Sequence, residues 1–335
     1  MKVSLAGAIR FHPEQPVPLP QLYREFIELG VLAEELGFNR VWLSEHHMAE
    51  DGWNPAPMLV LAAIAARTRK IRLGTFVMLL PLHNPLKVAE EIGTLDVLSD
   101  GRFDFAVGAG PMDVECAAFS IPQKEAFGRC YEALAVIQRL LTEAQVTHHG
   151  KYFHYDNVAM TTRPVQKPHP PIYTTPLHGP QSWEKSAERG YNVASALHTP
   201  AWTQYGERLA RHGRDRSQVT IATGPIFVHV AASREQAFDE AERGMHWAIE
   251  FYRRRGLPFP LAPLGEFRKP EHALAYGVPI IAGSPREVLA GLERYRNEPF
   301  DDLSIQFGHP GVAHDITVRS MRMFAAEVLP ALRAW

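Results

Sequence analysis

The sequence predicts an α/β fold, a closed (β/α)8 TIM barrel, on three observations. Strand and helix signals alternate from end to end, eight strand signals are each followed by a helix, and no repeat or low-complexity segment intervenes. The 335 residues, 46% hydrophobic and 21% charged, suit one large core, so a single domain over 1–335 is expected.

Val3 to Ile9 reads as the first strand, and the Pro-rich stretch Pro13 to Pro20 ends it. Leu22, Phe26, Leu29, Ala33 and Leu36 then recur at helical spacing, with Gly37 as the stop. Val41 to Leu43 is the second strand and Ile71 to Leu80 the third. Between them, a helix starting near Pro55 has no polar side chain from Ala56 to Ala66. A helix apolar on all sides must be covered on both sides. Either another part of the chain covers it, or a second copy does, through a homodimer contact over Pro55–Arg67.

Pro85 opens a helix that buries Val88, Ile92, Leu95 and Leu98 and stops at Asp100-Gly101. Phe103 to Val107 is the fourth strand, followed by a helix carrying Phe127, Tyr131, Leu134 and Leu141. Ile172 to Thr174, Val193 to Leu197 and Val219 to Val230 are the fifth to seventh strands. Ser233 to Gln236 and Ser284 to Glu287 read as capping boxes, in which a Ser and a Glu or Gln satisfy free backbone N–H groups. Asp302 to Phe307 is the eighth strand, and a helix from about Ala313 to Leu332 follows. Two segments depart from the alternation. Val146 to Val158 patterns as an inserted hairpin, and Gly256 to Gly283 as a lid-like excursion between strands seven and eight.

The balance of 35 basic against 37 acidic residues gives no footprint for nucleic acid or an anionic membrane. Cys116 and Cys130 cannot form a disulfide framework or a four-Cys metal site. The first residues lack a signal peptide, and no apolar run nears the roughly 20 residues of a membrane span. A cytoplasmic protein is expected.

Chemistry in such a barrel sits where the strands end. There lie Glu45, His46 and His47, then Thr75 to Leu79, Gly108-Ala109-Gly110, Thr174 to His178, His198 and Gln306 to His309. Two His beside a carboxylate suit acid–base work or metal binding. No His-Glu-x-x-His or comparable ligand spacing supports a metal, so none is expected. His148, His149, His154 and His169 read as ordinary loop or structural residues. Gly108-Ala109-Gly110 is not a dinucleotide loop, because Asp113 stands where the third Gly belongs. His178 to Ser182 could hold an anion at a helix N-terminus or be a plain capped turn.

In order along the chain, several segments resemble the bacterial luciferase-like family of flavin-dependent monooxygenases. They are Gly37-Phe38 with Val41 to His47, Leu73 to Thr75, Leu80-Pro81, His83 to Pro85, Ala89 to Glu91, Leu95-Asp96 and Ser99 to Phe103. Pro171 to Tyr173, Ala187 to Gly190 and Met323 to Pro330 continue the match. The resemblance implies a barrel that takes reduced FMN as co-substrate from a separate NAD(P)H-dependent flavin reductase. It also implies that oxygen on the flavin forms a peroxide that oxygenates a small organic substrate. His46 would be the catalytic His, with Glu45 and His47 beside it. Thr75, Phe76 and Val77 would lie against the flavin ring, often through a non-proline cis peptide. Gly110, Arg129, Thr175, Gly179 and Ser182 would complete the cofactor site, Arg129 pairing with the phosphate. Ala109 departs from the family, which often has Arg there. Phe11, Trp53, Met78, Trp183 and Trp202 are candidate walls of an apolar substrate pocket. A deazaflavin-dependent dehydrogenase, a non-catalytic flavin-binding subunit and a metal-dependent hydrolase remain as alternatives.

Overall fold

The computed structural model describes residues 1–110, 112–176, 179–195, 199–256, Arg268 and 279–335. Its first strand, β1 (Lys2–Gly7), pairs in parallel with β2 (Arg40–Leu43), which pairs with β3 (Arg72–Thr75). The chain between β1 and β2 forms α1 (Leu19–Glu35), which ends as Gly37 takes a φ of 80° that a side chain would resist. The third stave is not continuous. After Thr75 the peptide bond Phe76–Val77 is cis, and β4 (Met78–Leu79) resumes pairing on β5 (Phe103–Gly108).

From β5 the parallel order runs through β8 (Ile172–Thr174), β9 (Asn192–Ser195), β10 (Ile221–Val230) and β12 (Asp302–Gln306). The last of these pairs with β1, so eight parallel staves close a barrel. Helices α2 (Pro57–Arg67), α3 (Pro85–Leu98), α4 (Asp113–Ala118), α5 (Ala126–Thr142), α6 (Pro180–Arg189), α7 (Thr199–Arg211) and α8 (Arg234–Arg254) lie between the staves. The expected hairpin is present as antiparallel β6 (Val146–His149) and β7 (His154–Val158).

The long excursion begins as expected where α8 ends, but its last residues form β11 (Ile280–Gly283), which pairs with the outer half of β10. The lid expectation itself falls on 257–278, outside the described residues apart from Arg268. Helix α9 (Pro285–Leu292) starts with the capping box of Ser284 and Glu287. The last predicted helix is two, α10 (His314–Glu327) and α11 (Leu329–Arg333), because Pro330 cannot donate the hydrogen bond that would carry the helix through.

The barrel is plugged from below. Arg40 donates to Asp104 and Asp302, Arg72 donates to Asp104, and Ser4 donates to Asp302, all at the strands' starting ends. Trp42 lies over Arg40, 4.4 Å from ring centroid to guanidinium carbon, and fills the middle beside Tyr173. Around them the layer is Ala6, Ala106, Ala194 and Ala222. Small side chains there leave the upper mouth, where the strands end, as the place with room for a ligand. No helix among the described residues is long and apolar enough to cross a membrane.

Candidate active site

Strand β2 ends by delivering three polar residues in a row into a buried loop. Glu45 is 1% exposed, and its carboxylate is saturated with donors. Oε1 accepts from His47 Nε2 and from His83 Nε2, each at 2.7 Å, and Oε2 accepts from the Leu79 amide at 2.8 Å. Burial alone would push this acid up, but the two imidazoles and the amide outweigh it and hold it down at about 2. Glu45 is thus a fixed anion that ties the end of β2 to the far side of the broken third stave.

His46 belongs to a second carboxylate. Its Nδ1 stands 3.0 Å from Glu115 Oε1, and the same oxygen accepts the His47 amide at 2.8 Å. Glu115 Oε2 accepts the Met112 amide at 2.7 Å, and the residue is fully buried. Burial raises the Glu115 acid, yet the contacts with His46 and the two amides bring it below its ordinary value. An ionised carboxylate only accepts, so His46 Nδ1 carries the hydrogen and Nε2 is left with the lone pair. Glu115 comes from α4, a six-residue helix with too little periodicity to read from sequence. Its one signal is the acidic first turn, Asp113 and Glu115.

Aromatic edges enclose the His46 ring. Trp53 is edge-on at 4.5 Å, Tyr252 at 5.6 Å, and Phe251 tilted at 5.9 Å. Arg10 lies over Trp53 and Phe251 and donates through Nε to Asp51 at 2.7 Å. Trp247 donates to the same Asp51 oxygen at 2.9 Å. Just past the end of α8, Arg255 donates to the carbonyls of His47 (3.1 Å) and Met48 (2.6 Å). Sequence reading missed Glu115, His83, Arg10, Tyr252 and Arg255. His83 was legible only as part of a His-Asn-Pro helix start, although that start follows a strand end.

The other expected residues fall in three places. Phe76 and Val77 lie at the upper mouth, packed on the alanine layer and on Trp42. A Cβ on Gly108 would come 2.6 Å from Val77, so the cis segment rests directly on the end of β5. Thr75 is a strut instead, its hydroxyl donating to the Ala106 carbonyl at 2.7 Å. Thr175 and Ser182 line one small cleft with Val107, Ala109, Phe127, Cys130, Tyr131 and Thr174. Gly179 precedes α6 with φ 85° and open space where a Cβ would be, and Gly110 is exposed beyond β5.

Arg129 is elsewhere. Its guanidinium lies over Tyr152 and Phe153 of the hairpin, and it does not line the cleft of Thr175 and Ser182. Lys185 lies 5.0 Å from the ring centroids of Phe127 and Tyr131, two of that cleft's walls, and itself lines a neighbouring pocket with Glu132 and Glu188. Of the five candidate pocket walls, Trp53 alone touches His46. Trp183 packs on Tyr205 and Trp202 on Phe300, Met78 is buried in β4, and Phe11 lies under Gly52.

Comparison with known proteins places this geometry. The luciferase-like monooxygenase family matches residues 3–302. The oxygenase component of the flavin-dependent trigonelline monooxygenase of Acinetobacter baylyi is 26% identical over 93% of this chain and 90% of that protein. An F420-dependent glucose-6-phosphate dehydrogenase of Microbacterium testaceum is 29% identical over 92% of this chain and 93% of that one. The solved structure of monooxygenase RslO1 from Streptomyces bottropensis superposes with a TM-score of 0.88 at 26% identity, covering 99% of both chains. Against some other curated relatives, the chain spans only about half their length. The family match extends from the first strand into the last, and the chain belongs to the luciferase-like monooxygenases.

Proposed function

We propose that the protein is an FMN-dependent monooxygenase that takes reduced FMN and O2 and oxygenates a small, apolar organic substrate. The observation that carries this reading is the His46–Glu115 pair, set in an aromatic enclosure beside the mouth where Phe76 and Val77 lie.

The residues fit a flavin. Phe76 and Val77 offer an apolar ledge for a planar ring above the alanine layer, and Thr175 and Ser182 share a cleft at the start of α6. Arg129 Nε is buried without a hydrogen-bond partner, and Lys185 stands over the cleft's aromatic wall. These two cations are the candidates for the phosphate. Reduced FMN would supply the two electrons and the activation of oxygen. The protein's part is proton management and exclusion of water. His46 Nε2 accepts or returns a proton, while Glu115 fixes the tautomer and stabilises the imidazolium. Trp53, Phe251 and Tyr252 shield the ring from solvent. Glu45 and His47 act as positioning residues, since both are spent on internal hydrogen bonds.

Reduced FMN reaching this site implies a separate NAD(P)H-dependent flavin reductase as partner. The specific alternative is F420-dependent hydride transfer, which the dehydrogenase relative of similar identity favours. Anaerobic titration separates the two. Reduced FMN should bind, with reduced F420 at least about ten-fold weaker, which is about 1.4 kcal/mol. Tighter binding of reduced F420 would replace this proposal with the dehydrogenase.

A further inference from the structure

We propose that Glu45, His47 and His83 form a binding site for one divalent ion of the zinc class. The three ligand atoms, two Nε2 and one carboxylate oxygen, lie within 4.8 Å of one another, and the described residues contain no second such group of three. The linear sequence hides it, because His83 arrives from the other side of the broken third stave.

The donor set fixes the ion's class. Two imidazoles and one carboxylate suit zinc and its first-row neighbours, whereas calcium and magnesium want a shell of oxygens. Its second carboxylate oxygen accepts the Leu79 amide at 2.8 Å, an outside support that fixes the carboxylate's orientation toward the site. In the ion-free arrangement each Nε2 carries a hydrogen and donates to the same Oε1 at 2.7 Å. A tetrahedral ion with bonds of about 2.0–2.2 Å spaces its ligand atoms roughly 3.3–3.6 Å apart, so each Nε2 has to draw away from Oε1 by less than about 1 Å while the two Nε2 atoms, within 4.8 Å of each other, settle to the same spacing. On binding, each Nε2 gives up the hydrogen it donates to Oε1, which passes through solvent to Nδ1 or to water, and offers its lone pair to the ion. No electrons are transferred. The His83 side chain is 23% exposed, which gives the ion its entry, and the fourth position is left to water.

The test uses the full chain without an affinity tag and zinc chloride as probe, in competition with a chromophoric chelator. One ion per chain is expected, with a rise in melting temperature. His83→Gln should weaken binding by about ten-fold or more and abolish that rise. The Gln amide can still donate to Glu45, and a zinc-free melt checks that the variant folds. His47→Gln with cobalt as a spectroscopic probe gives a second reading should His83→Gln not fold. There, the wild type should show the strong ligand-field bands of a four-coordinate ion, and the variant should lose them. His149 and His154 on the hairpin, with ring centroids 6.1 Å apart, are one pair that could compete for zinc, so a His149→Gln/His154→Gln variant must bind as the wild type does. Zinc that does not bind, that binds His83→Gln equally well, or that is lost with the hairpin histidines instead, overturns the site. So does a cobalt complex lacking those bands.

Discussion

At the scale of single residues, the site divides its two carboxylates between two histidines. Glu115 serves His46 and Glu45 serves His47, so neighbours in sequence answer to partners 69 and 2 positions away. The Glu45 acid sits at about 2 in the fold, against an ordinary 4.5. A lowered carboxylate contributes its stability above the ordinary value and loses it as pH falls toward the folded value. The window is therefore about pH 4.5 down to 2, and the contribution at neutral pH is on the order of 3 kcal/mol. Urea midpoints across that window should fall steeply for the wild type. Glu45→Gln should begin lower and stay flatter; an equally steep limb would mean that other groups set the acid response. The Glu45-His46-His47 run was legible because it closes a strand. Its division of labour was not, since Glu115 and His83 come from elements that only the closed barrel brings near.

At the scale of elements, strong periodic signals translated directly and short or broken ones did not. Helices α1, α3 and α5 were readable from apolar spacing, the first two also from Pro and Gly at their ends. The third stave read as one strand because Arg72–Thr75 and Met78–Leu79 share one apolar run. Nothing in residue type announces the cis bond at Phe76–Val77; the family resemblance alone implied it. The resemblance alone also implied a phosphate role for Arg129, whose guanidinium lies over Tyr152 and Phe153 of the hairpin. The end of α8 is another part of the site that no motif marked. Its Arg255 grips two carbonyls of the loop after β2 and stacks on Phe251 at 4.5 Å. Arg255→Ala should free that loop locally. Amide hydrogen exchange should speed up by about ten-fold or more over 46–52, while the barrel strands stay protected. Unchanged exchange at 46–52 would show that Phe251 and Tyr252 hold the loop alone.

At the scale of the whole molecule, the barrel is closed below by Arg–Asp ion pairs and open above to chemistry. That polarity follows from Arg40 and Asp302 at one end and alanines in the middle. Helix α2 was expected to be covered on both sides. In the chain its inner side is buried, while Leu59 is 75% exposed and faces a groove of about 560 Å³ with Ala62 and Leu98. We propose that a second copy covers it. Light scattering should find a dimer that Leu59→Glu converts to monomer, and a monomeric wild type would remove the proposal. We propose that His46 and Glu115 govern the encounter of reduced FMN with oxygen. The most direct measurement is rapid mixing of the anaerobic reduced-FMN complex with oxygen, following flavin absorbance for the wild type and His46→Ala. The wild type should reoxidise its flavin at least about ten-fold more slowly than flavin free in solution, and His46→Ala should return toward the free rate. A wild-type complex that reoxidises at the free-solution rate, or a His46→Ala variant identical to it, would contradict the account.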